Sequence, residues 1–496
     1  MTASMRIRIE GWPPRRWHTG LAERISRELD VATYLDPGVP GHLPARKYVA
    51  RVLTYERVFA RADQRFLEPV WISPEKTQGD EVIVDLSAEK VPMQFAWRVL
   101  FDGRPGHTAA ARVLAQGRFP IVAVVDPNGV VRAEGRPGSE QPGVLSVSLA
   151  EVLAGTGSLL VSALRGHSVC RPAPDTGQSG GMLPFPVARL LVRKTIRAAV
   201  HTGYQLATRS PHWRVGWRRS AGSGMPDLSG SPTGAWSSVH DDGYHFYADP
   251  FLFEHEGREY LFVEDFDHRV GRAHISVVEM GEDGPQGRPR PVLRDEGHLS
   301  YPFVLEHHGQ IWMIPETSGA SRIEIYRATR FPDLWERAGV LVDDVIASDA
   351  TPVHHQGRWW LFATVRSGGA YSDHLHLWTA PDLLGPWAPH PANPVLIDIA
   401  SARPAGRVAV HDGRLLRPTQ DGRGGYGAAL TVMEVTRLDD RQFEQRQVAQ
   451  LVPGSHWSGR RIHTFNSSAR FDVVDGSRVA PRIAKLRRTL RRLGEA

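Results

Sequence analysis

The second half of the chain repeats one pattern of hydrophobic and polar positions. Each copy begins with a small or polar residue and a proline, continues as a hydrophobic strand, turns at a glycine and returns as a second strand. The four copies are ADPFLFEHEGREYLFVED, SYPFVLEHHGQIWMIPET, SDATPVHHQGRWWLFATV and SARPAGRVAVHDGRLLRPTQD. Their turn glycines recur about every 50 residues, which is the spacing of propeller blades. These glycines are Gly257, Gly309, Gly357 and Gly413.

A looser fifth copy, IHTFNSSARFDVVDG, ends at Gly476. Four clear copies and one degenerate copy predict an all-β, five-bladed β-propeller over residues 236–478.

Residues 1–165 show a different pattern, in which hydrophobic strands alternate with helical segments. MRIRIEGW and EVIVDLS predict strands, and WHTGLAERISRELD carries its leucines and isoleucine at the spacing of one helix face. FPIVAVVDPNGVVRAEG predicts a hairpin that turns at Asn128-Gly129. We therefore expect an α/β domain over residues 1–165.

Two further segments are predicted outside these domains. Residues 166–235 are rich in proline, glycine and serine and contain one helical stretch, FPVARLLVRKTIRAAVHTGYQLAT, so we expect a linker with a basic helix. Residues 479–496 predict a basic amphipathic helix at the end of the chain. Its apolar face carries Ile483, Leu486, Leu490 and Leu493.

The charge and the cysteine count exclude several classes of partner and site. The net charge is +6, but six basic residues and one acid lie in the last segment, so the folded body is close to neutral and we expect no nucleic-acid partner. The basic tail predicts either contact with an anionic membrane surface or docking onto the protein's own body. Cys170 is the single cysteine, which excludes an intramolecular disulfide.

The sequence also carries an expectation about location. Its first residues contain no apolar signal core, and no run of 18 or more apolar residues occurs. We expect a cytoplasmic protein. If its basic tail binds the membrane, the protein is peripheral at the inner membrane face.

The Asp-Pro pair at the start of the first copy predicts a site. The first strand of each propeller blade lines the central channel, and a residue before proline favours an extended conformation, so Asp249 is expected to face the channel axis. Three other polar residues begin the later copies and should meet it at the same mouth: Tyr301, Asp349 and Arg403. The alternative is that Asp-Pro only terminates strand pairing.

The first three copies resemble the propeller region found at the N-terminus of plant glucosamine inositolphosphorylceramide transferases. The resemblance covers residues 236–478. It implies a carbohydrate-active protein, and bacterial proteins that resemble this one carry the same region behind a formyltransferase-like α/β unit. The Asn, His and Asp constellation of an active formyltransferase is absent from residues 1–165, where His107 is a weak stand-in, so we expect a degenerate, non-catalytic domain.

More distantly, the propeller is similar to the five-bladed glycosidases that include arabinanases, xylosidases and fructosidases. That resemblance implies an Asp in the first blade, matched by Asp249, a second Asp matched by Asp349, and a Glu acid. Where those enzymes place the Glu, this chain has Gln420 and Asp421. The catalytic candidates are therefore Asp249, Asp349 and Glu316. The substrate-binding candidates are Tyr301, Arg403, Arg417, Glu264, His463 and Asn466.

Several of these residues have structural alternatives. Arg403 and Arg417 suit a phosphate or a carboxylate, or else salt bridges between blades. His463 and Asn466, in the motif HTFN, suit a sugar or else the closure of the ring. The pairs His307-His308 and His354-His355 are expected to be solvated in outer turns, with metal binding as the lesser alternative, and neither a metal nor a cofactor is predicted.

Three functions remain open from the sequence, and enzymatic activity itself is uncertain. The first is a sugar-transferring enzyme that acts on a glycolipid or surface polysaccharide and takes a sugar or nucleotide-sugar substrate. The second is a glycoside hydrolase with paired carboxylates, which a carboxyl separation of about 5–10 Å would favour. The third is a non-catalytic glycan-binding module. If Asp249 belongs to a site, we expect Asp249→Asn to keep the fold and abolish function.

Overall fold

The computed structural model describes ten segments of the chain. These are residues 4–10, 13–37, 45–59, 63–72, 82–88, 95–174, 212–220, 236–411, 413–454 and 459–477. The two predicted basic helices, within 185–208 and over 479–496, lie outside the described residues.

The N-terminal region is an α/β domain, as predicted. Its strands form one seven-stranded sheet in the order β2-β1-β3-β4-β6-β7, with β5 paired to β4. The first four strands in this order run parallel, and the last two are antiparallel. The strands are β1 (Ser4–Ile9), β2 (Ala32–Pro37), β3 (Val82–Asp85), β4 (Ala96–Phe101), β5 (Arg104–Pro105), β6 (Val122–Val125) and β7 (Val131–Gly135).

Four α-helices cover this sheet in the described part of the chain. They are α1 (Arg16–Leu29), α2 (Ala45–Phe59), α3 (His107–Ala115) and α4 (Leu145–Leu164), and a short 3₁₀ turn spans Arg65–Leu67. By length and composition alone α4 could cross a membrane, but most of it is buried inside the protein. It is the core helix of this domain, and Gly155 lets it approach Pro137, whose Cβ would lie 2.5 Å from an added methyl group.

The remaining strands form five sheets, which are the blades of the predicted propeller. Two strands precede the first repeat, β8 (Trp213–Arg219) and β9 (Ser237–Ser238). Blade 1 contains β10 (His245–His255), β11 (Arg258–Asp267), β12 (Arg272–Gly281), β13 (Gly284–Pro285) and β14 (Arg290–Leu293). Blade 2 contains β15 (Ser300–His307), β16 (Gln310–Glu316), β17 (Ile323–Arg330) and β18 (Leu334–Val342), with a 3₁₀ turn at Ser318–Ala320.

Blades 3 to 5 complete the ring. Blade 3 contains β19 (Ala347–His355), β20 (Arg358–Val365), β21 (His374–Ala380), β22 (Ala388–Pro389) and β23 (Leu396–Ile397). Blade 4 contains β24 (Ala409–His411), β25 (Arg414–Asp421), β26 (Ala429–Leu438) and β27 (Phe443–Leu451). Blade 5 adds β28 (Phe465–Ser467) and β29 (Phe471–Ser477) to β8 and β9.

The fifth blade joins strands from both ends of the propeller. Its inner pair comes from the last repeat, and β8 pairs antiparallel with β29, with Val215 opposite Asp475. The sequence pattern predicts that residues 213–219 belong to the linker and that the propeller starts at residue 236. That boundary is wrong, and it explains why the fifth copy looked degenerate: only half of this blade follows the fourth repeat.

The two domains share a packed interface. Ile397, the last residue of blade 3, and Ile399, just after it, are buried in the hydrophobic core of the N-terminal domain. The backbone of Arg136 donates to Ile397 O at 2.7 Å and accepts from Ile399 N at 3.0 Å, so the connection extends the strand pairing between domains.

A buried polar chain crosses the same interface. His374 contacts the Oγ of Ser158 through Nε2 at 2.9 Å and Asp373 through Nδ1 at 2.6 Å. This Ser-His-Asp order resembles a hydrolase triad, but all three residues are buried, and Asp373 also accepts from Gly138 N at 2.9 Å. These buried hydrogen bonds therefore hold the two domains together and are not accessible to a substrate.

Candidate functional site

The inner strands of blades 1, 2 and 3 each break at the same point, where a polar residue leaves the ladder. The strand register shifts around Asp249, Tyr301 and Asp349. Their φ angles are 46°, 47° and 57°. The expected extended conformation of Asp249 is therefore wrong: a β-bulge, not proline geometry, turns these residues out of the sheet. Left-handed backbone in non-glycine residues costs free energy and persists only where surrounding contacts hold it.

Asp249 is held by bonds to two other blades. Its Oδ1 accepts from the Oγ1 of Thr464 at 2.6 Å and lies 3.1 Å from the Nε2 of His463. Its Oδ2 accepts from the backbone N of Tyr301 at 3.2 Å, and its own N donates to Asp475 at 3.0 Å. Asp249 is 4% exposed. It therefore joins the starts of blades 5, 1 and 2.

His463 lies between two carboxylates at this junction. Its Nδ1 is 2.8 Å from Oδ2 of Asp475, and its Nε2 faces Asp249. Burial lowers the pKa of His463, but the two carboxylates outweigh burial and raise this pKa to about 10. Burial likewise raises the pKa of Asp249, yet the His463 imidazolium and Thr464 hold it below its ordinary value. Since opposite ring nitrogens face the two acids, this cluster is an ionic clamp and is poorly arranged to bind one metal ion.

A second junction joins blades 2, 3 and 4. Arg403 donates from Nε to Oδ2 of Asp349 at 2.6 Å, and its NH2 is 3.8 Å from Glu316. The backbone N of Asp349 donates to Oε2 of Glu316 at 3.2 Å, and Gln420 donates to Asp349 at 3.0 Å. The guanidinium also lies 5.3 Å from the ring centre of Tyr426. One arginine thus holds two acids from neighbouring blades.

Burial and neighbouring charge give Asp349 an unusual proton affinity. Burial raises its pKa most, and although Arg403 lowers it, the carboxylates of Glu316 and Asp249 add to the rise, so the pKa of Asp349 is about 8. An acid in this state keeps its proton at neutral pH. That is the property required of a general acid.

Glu264 and His298 form the more open edge of the cluster. The Nε2 of His298 is 3.2 Å from Oε1 of Glu264, and the His298 side chain is 47% exposed. Burial and the Asp249 carboxylate raise the pKa of Glu264. The pKa of His298 is lowered by burial but raised overall by Glu264. Both pKa shifts favour the protonated forms of this pair, which lies at a solvent-accessible position.

The structure brings six of the predicted residues into one electrostatic cluster. They are Asp249, Glu264, Glu316, Asp349, Arg403 and His463. Each of the five blades contributes a residue to this cluster. Arg403 belongs to blade 4, since the backbone of Arg403 and Ala405 pairs with β25, and His463 belongs to blade 5, since the neighbouring Thr464 pairs with β29. Three of the six, Asp249, Asp349 and Arg403, begin equivalent repeats, and the rotational symmetry of the propeller brings them together.

Tyr301 does not line an open surface as expected. It is 0% exposed. Its hydroxyl accepts from Gly406 N at 2.8 Å, donates to Gly406 O at 3.2 Å and contacts Thr351 Oγ1 at 2.9 Å. The phenol therefore bridges blades 2, 3 and 4 inside the ring.

Arg417 and Asn466 are also structural. Arg417 is fully buried, and its guanidinium donates to Ala402 O at 2.9 Å and Ser401 O at 2.6 Å. Burial lowers the pKa of Arg417 to about 9. Asn466 donates to Pro250 O at 2.7 Å and accepts from Arg407 N at 2.8 Å. Their contacts match the structural alternatives, since both residues tie blades or loops together.

Three residues of the site were missed from the sequence. Trp213 lies over His463, with ring centres 4.3 Å apart, and Tyr426 is 5.0 Å from the same ring. Tyr426 lies in the run GRGGYG, which indicates only a turn. Trp213 lies far before the start of the first repeat, so the repeat pattern does not include it. His298 was the one detectable case, since it stands just before the second repeat.

The N-terminal domain offers a different polar pair. His107, at the start of α3, lies 3.1 Å from Glu10 at the end of β1. The one asparagine of residues 1–165 is Asn128, in the hairpin turn before β7. It is therefore not available beside His107, and the formyltransferase-like character of this domain stays a prediction.

Comparison with known proteins places the propeller in a family. The family model described as "Glucosamine inositolphosphorylceramide transferase 1, N-terminal" matches residues 214–476, just over half of the chain. The chain is 32% identical over 278 residues to glucosamine inositolphosphorylceramide transferase 1 of Oryza sativa subsp. japonica, covering 53% of this chain and 37% of that protein. It is 33% identical over 250 residues to the protein of the same name from Arabidopsis thaliana, covering 47% and 32%.

The chain therefore spans about a third of the length of these curated relatives. Among solved structures, a family 117 glycoside hydrolase, Zg3597 of Zobellia galactanivorans, aligns with a TM-score of 0.36 and 16% identity, over 52% of this chain and 90% of that one. The match over residues 214–476 begins within β8 and ends within β29, so it covers all five blades. The chain belongs to the family defined by the N-terminal region of glucosamine inositolphosphorylceramide transferase 1.

Proposed function

We propose that this is a carbohydrate-active protein whose sugar site is the propeller mouth, and that it transfers a sugar to a glycolipid or a surface polysaccharide. The observation that carries the proposal is the gathering of acids from three blades around Arg403. Carboxylates and arginine are the groups that bind the hydroxyls of a sugar and any phosphate or carboxylate attached to it. The plant relatives are named glucosamine inositolphosphorylceramide transferase 1, and that name supports the same substrate class.

The protonation states support acid–base chemistry. Asp349, with its pKa of about 8, holds a proton that it can give to a leaving-group oxygen. Glu316, 13% exposed at its side chain, is the partner placed to accept the proton of the attacking hydroxyl. The transfer breaks the bond from the donor sugar to its leaving group, which takes the Asp349 proton. The new glycosidic bond forms as the acceptor hydroxyl loses its proton to Glu316, and passage of that proton from Glu316 to Asp349 restores the starting state.

Asp249 serves this scheme by positioning. Both of its oxygens already accept hydrogen bonds, from Thr464 and from the backbone of Tyr301. A carboxylate in that state is not free to attack a sugar carbon. We propose that Asp249 fixes the mouth and sets the charge around Asp349.

Glycoside hydrolysis is the second candidate, and the same observation favours it, because a protonated Asp349 beside Glu316 satisfies the two-carboxyl requirement. The two reactions differ only in the acceptor, which is water in hydrolysis. A glycan-binding module without turnover is the third outcome, and it would show binding alone.

The test is sugar binding by the full chain, followed by product analysis. Monosaccharides, oligosaccharides and nucleotide sugars are screened by saturation-transfer NMR, and hits are titrated by calorimetry against wild type and Glu316→Gln. Glu306→Gln, an exposed acid on the same blade, is the matched control. We expect Glu316→Gln to weaken binding or to lower transfer by about 10²–10⁴-fold, and Glu306→Gln to have no effect. Wild-type protein that binds no sugar, or equal behaviour of Glu316→Gln and wild type, would refute the proposal.

The location of the protein is part of the same proposal. A cytoplasmic protein with a basic tail would meet its glycolipid at the inner membrane face, through residues 479–496, which lie outside the described segments. Co-sedimentation with phosphatidylglycerol vesicles tests this point. Equal sedimentation of the full chain and a chain ending at residue 478 would overturn it.

A further inference from the structure

Two histidines and an aspartate converge on the outer rim between blades 2 and 3. His307 is the last residue of β15, His308 follows it in the hairpin turn, and Asp382 lies in the connection after β21. The Nε2 of His307 is 2.9 Å from Oδ2 of Asp382, and the Nε2 of His308 is 3.2 Å from the same oxygen. These three atoms lie within 4.8 Å of one another. The sequence pattern predicts a solvated histidine pair, but the side chain of His307 is only 13% exposed.

Each of the three side chains is oriented by a second contact or by the backbone. Asp382 accepts from the backbone N of Leu384 through Oδ1 at 2.9 Å, which leaves Oδ2 directed at the histidines. The ring of His307 packs edge-on against Trp359, with centres 5.3 Å apart. His308 has a φ of 50°, the same left-handed turn position that Gln356 occupies in the next blade.

The separations fit a tetrahedral metal site. Zinc binds histidine nitrogen and carboxylate oxygen at about 2.0–2.2 Å, which places neighbouring ligand atoms of a tetrahedron roughly 3.3 Å apart. The two nitrogen-to-oxygen edges of 2.9 and 3.2 Å are close to that length. Without a cation, two rings with centres 3.9 Å apart must both direct a donor at one oxygen.

We propose that His307, His308 and Asp382 bind a divalent transition-metal cation of the zinc class. Three protein ligands leave a fourth position for water, and His308, 76% exposed at its side chain, keeps that position open to solvent. The cation joins the rim of blade 2 to that of blade 3, because two ligands come from one blade and the third from the next. The site therefore stabilises the ring and is separate from the sugar chemistry at the channel mouth.

The test is a zinc titration of the full-length chain, freed of any affinity tag and stripped with EDTA. We expect wild type to bind one equivalent at this site, and both His308→Ala and Asp382→Asn to weaken it at least about tenfold. The matched control replaces His354 and His355 together, the histidine pair of the next blade, for which no carboxylate partner occurs among the described residues. This double variant should bind zinc as wild type does.

Two further readouts separate coordination from hydrogen bonding alone. Zinc should raise the melting temperature of wild type but not that of His308→Ala, since only a ligand bound to the native state stabilises it. Cobalt(II) should give the strong visible absorption of a tetrahedral site in wild type and in the control. Equal zinc binding by His308→Ala and wild type, or no zinc-dependent rise in the wild-type melting temperature, would overturn the proposal.

Discussion

Arg403 donates a hydrogen bond to Asp349 over 2.6 Å, and this bond joins the starts of the third and fourth blades. The pKa of Asp349 is nevertheless raised to about 8, because the residue is buried and Glu316 and Asp249 lie near it. A single arginine does not neutralise this group of acids, so one of them retains a proton. The pH dependence of stability follows from that excess of acid.

We predict that Asp349→Asn gains stability relative to wild type as the pH rises from about 4 to about 8. The unfolded chain releases the Asp349 proton near pH 3.9 and the folded chain near pH 8, so unfolding of wild type becomes steadily more favourable between these values. Asparagine does not titrate and can still accept from Arg403. Urea unfolding of both proteins from pH 4 to 9 measures the difference, which should level off above pH 8.

Asp283→Asn is the control for this series, since Asp283 is an exposed aspartate of blade 1. Its stability difference from wild type should stay nearly constant with pH. A difference for Asp349→Asn that stays constant between pH 4 and 8 would show that Asp349 is ionised in the folded protein throughout that range.

Tyr301→Phe should lower stability without changing sugar affinity. The hydroxyl of Tyr301 bonds to both backbone groups of Gly406 and to Thr351, and its removal leaves buried groups unpaired. Such a loss costs about 1–3 kcal/mol. Urea unfolding measures the cost, and calorimetry with the sugar that the wild type binds measures affinity. Weakened affinity at unchanged stability would instead place Tyr301 in contact with the substrate.

Gly138→Ala should destabilise both domains together. An added Cβ would lie 2.3 Å from the side chain of Ile399, which is part of the N-terminal core. Overpacking of this kind costs about 1–3 kcal/mol. Gly143→Ala meets open space and is the matched control. Calorimetry should show one cooperative transition that shifts down in Gly138→Ala alone; two separated transitions would mean that the domains unfold independently.

The parts of the fold that depend on local pattern could be predicted. The turn glycines Gly257, Gly309 and Gly357 have φ of 72°, 68° and 76°, values that glycine adopts at little cost, so their spacing marked the blades. The pairing of β8 with β29 joins residues about 260 positions apart, and nothing local in either strand signals it.

The site was predictable in position more than in chemistry. Repetition placed Asp249, Asp349 and Arg403 at equivalent blade starts, and the structure brings them together. Which side chains stay accessible depends on loops and neighbouring strands: Arg417 is sealed by carbonyl groups of residues 401 and 402. Because these contacts cannot be seen in the sequence, Arg403 and Arg417 carry the same prediction of anion binding there.

Asp249→Asn should destabilise the protein, which reverses the expectation drawn from the sequence that this variant keeps the fold. An asparagine amide can accept through one atom only, so either Thr464 or the backbone N of Tyr301 loses its partner. The His463 imidazolium also loses one of its two anions while it stays buried. Breaking a buried ion pair on one side costs about 3–5 kcal/mol, so we expect a large fall in stability at pH 7.

The pH dependence distinguishes this role from a catalytic one. The pKa of Asp249 is lowered in the folded protein, so its stabilising effect is present above the unfolded value near 3.9 and is lost as the pH falls through the lower folded value. The stability gap between wild type and Asp249→Asn should therefore be widest near neutral pH and narrow in acid. Urea unfolding at pH 7 and pH 3 measures both gaps. Equal midpoints at pH 7, combined with lost sugar binding, would show that Asp249 acts on the substrate directly instead of holding the blades together.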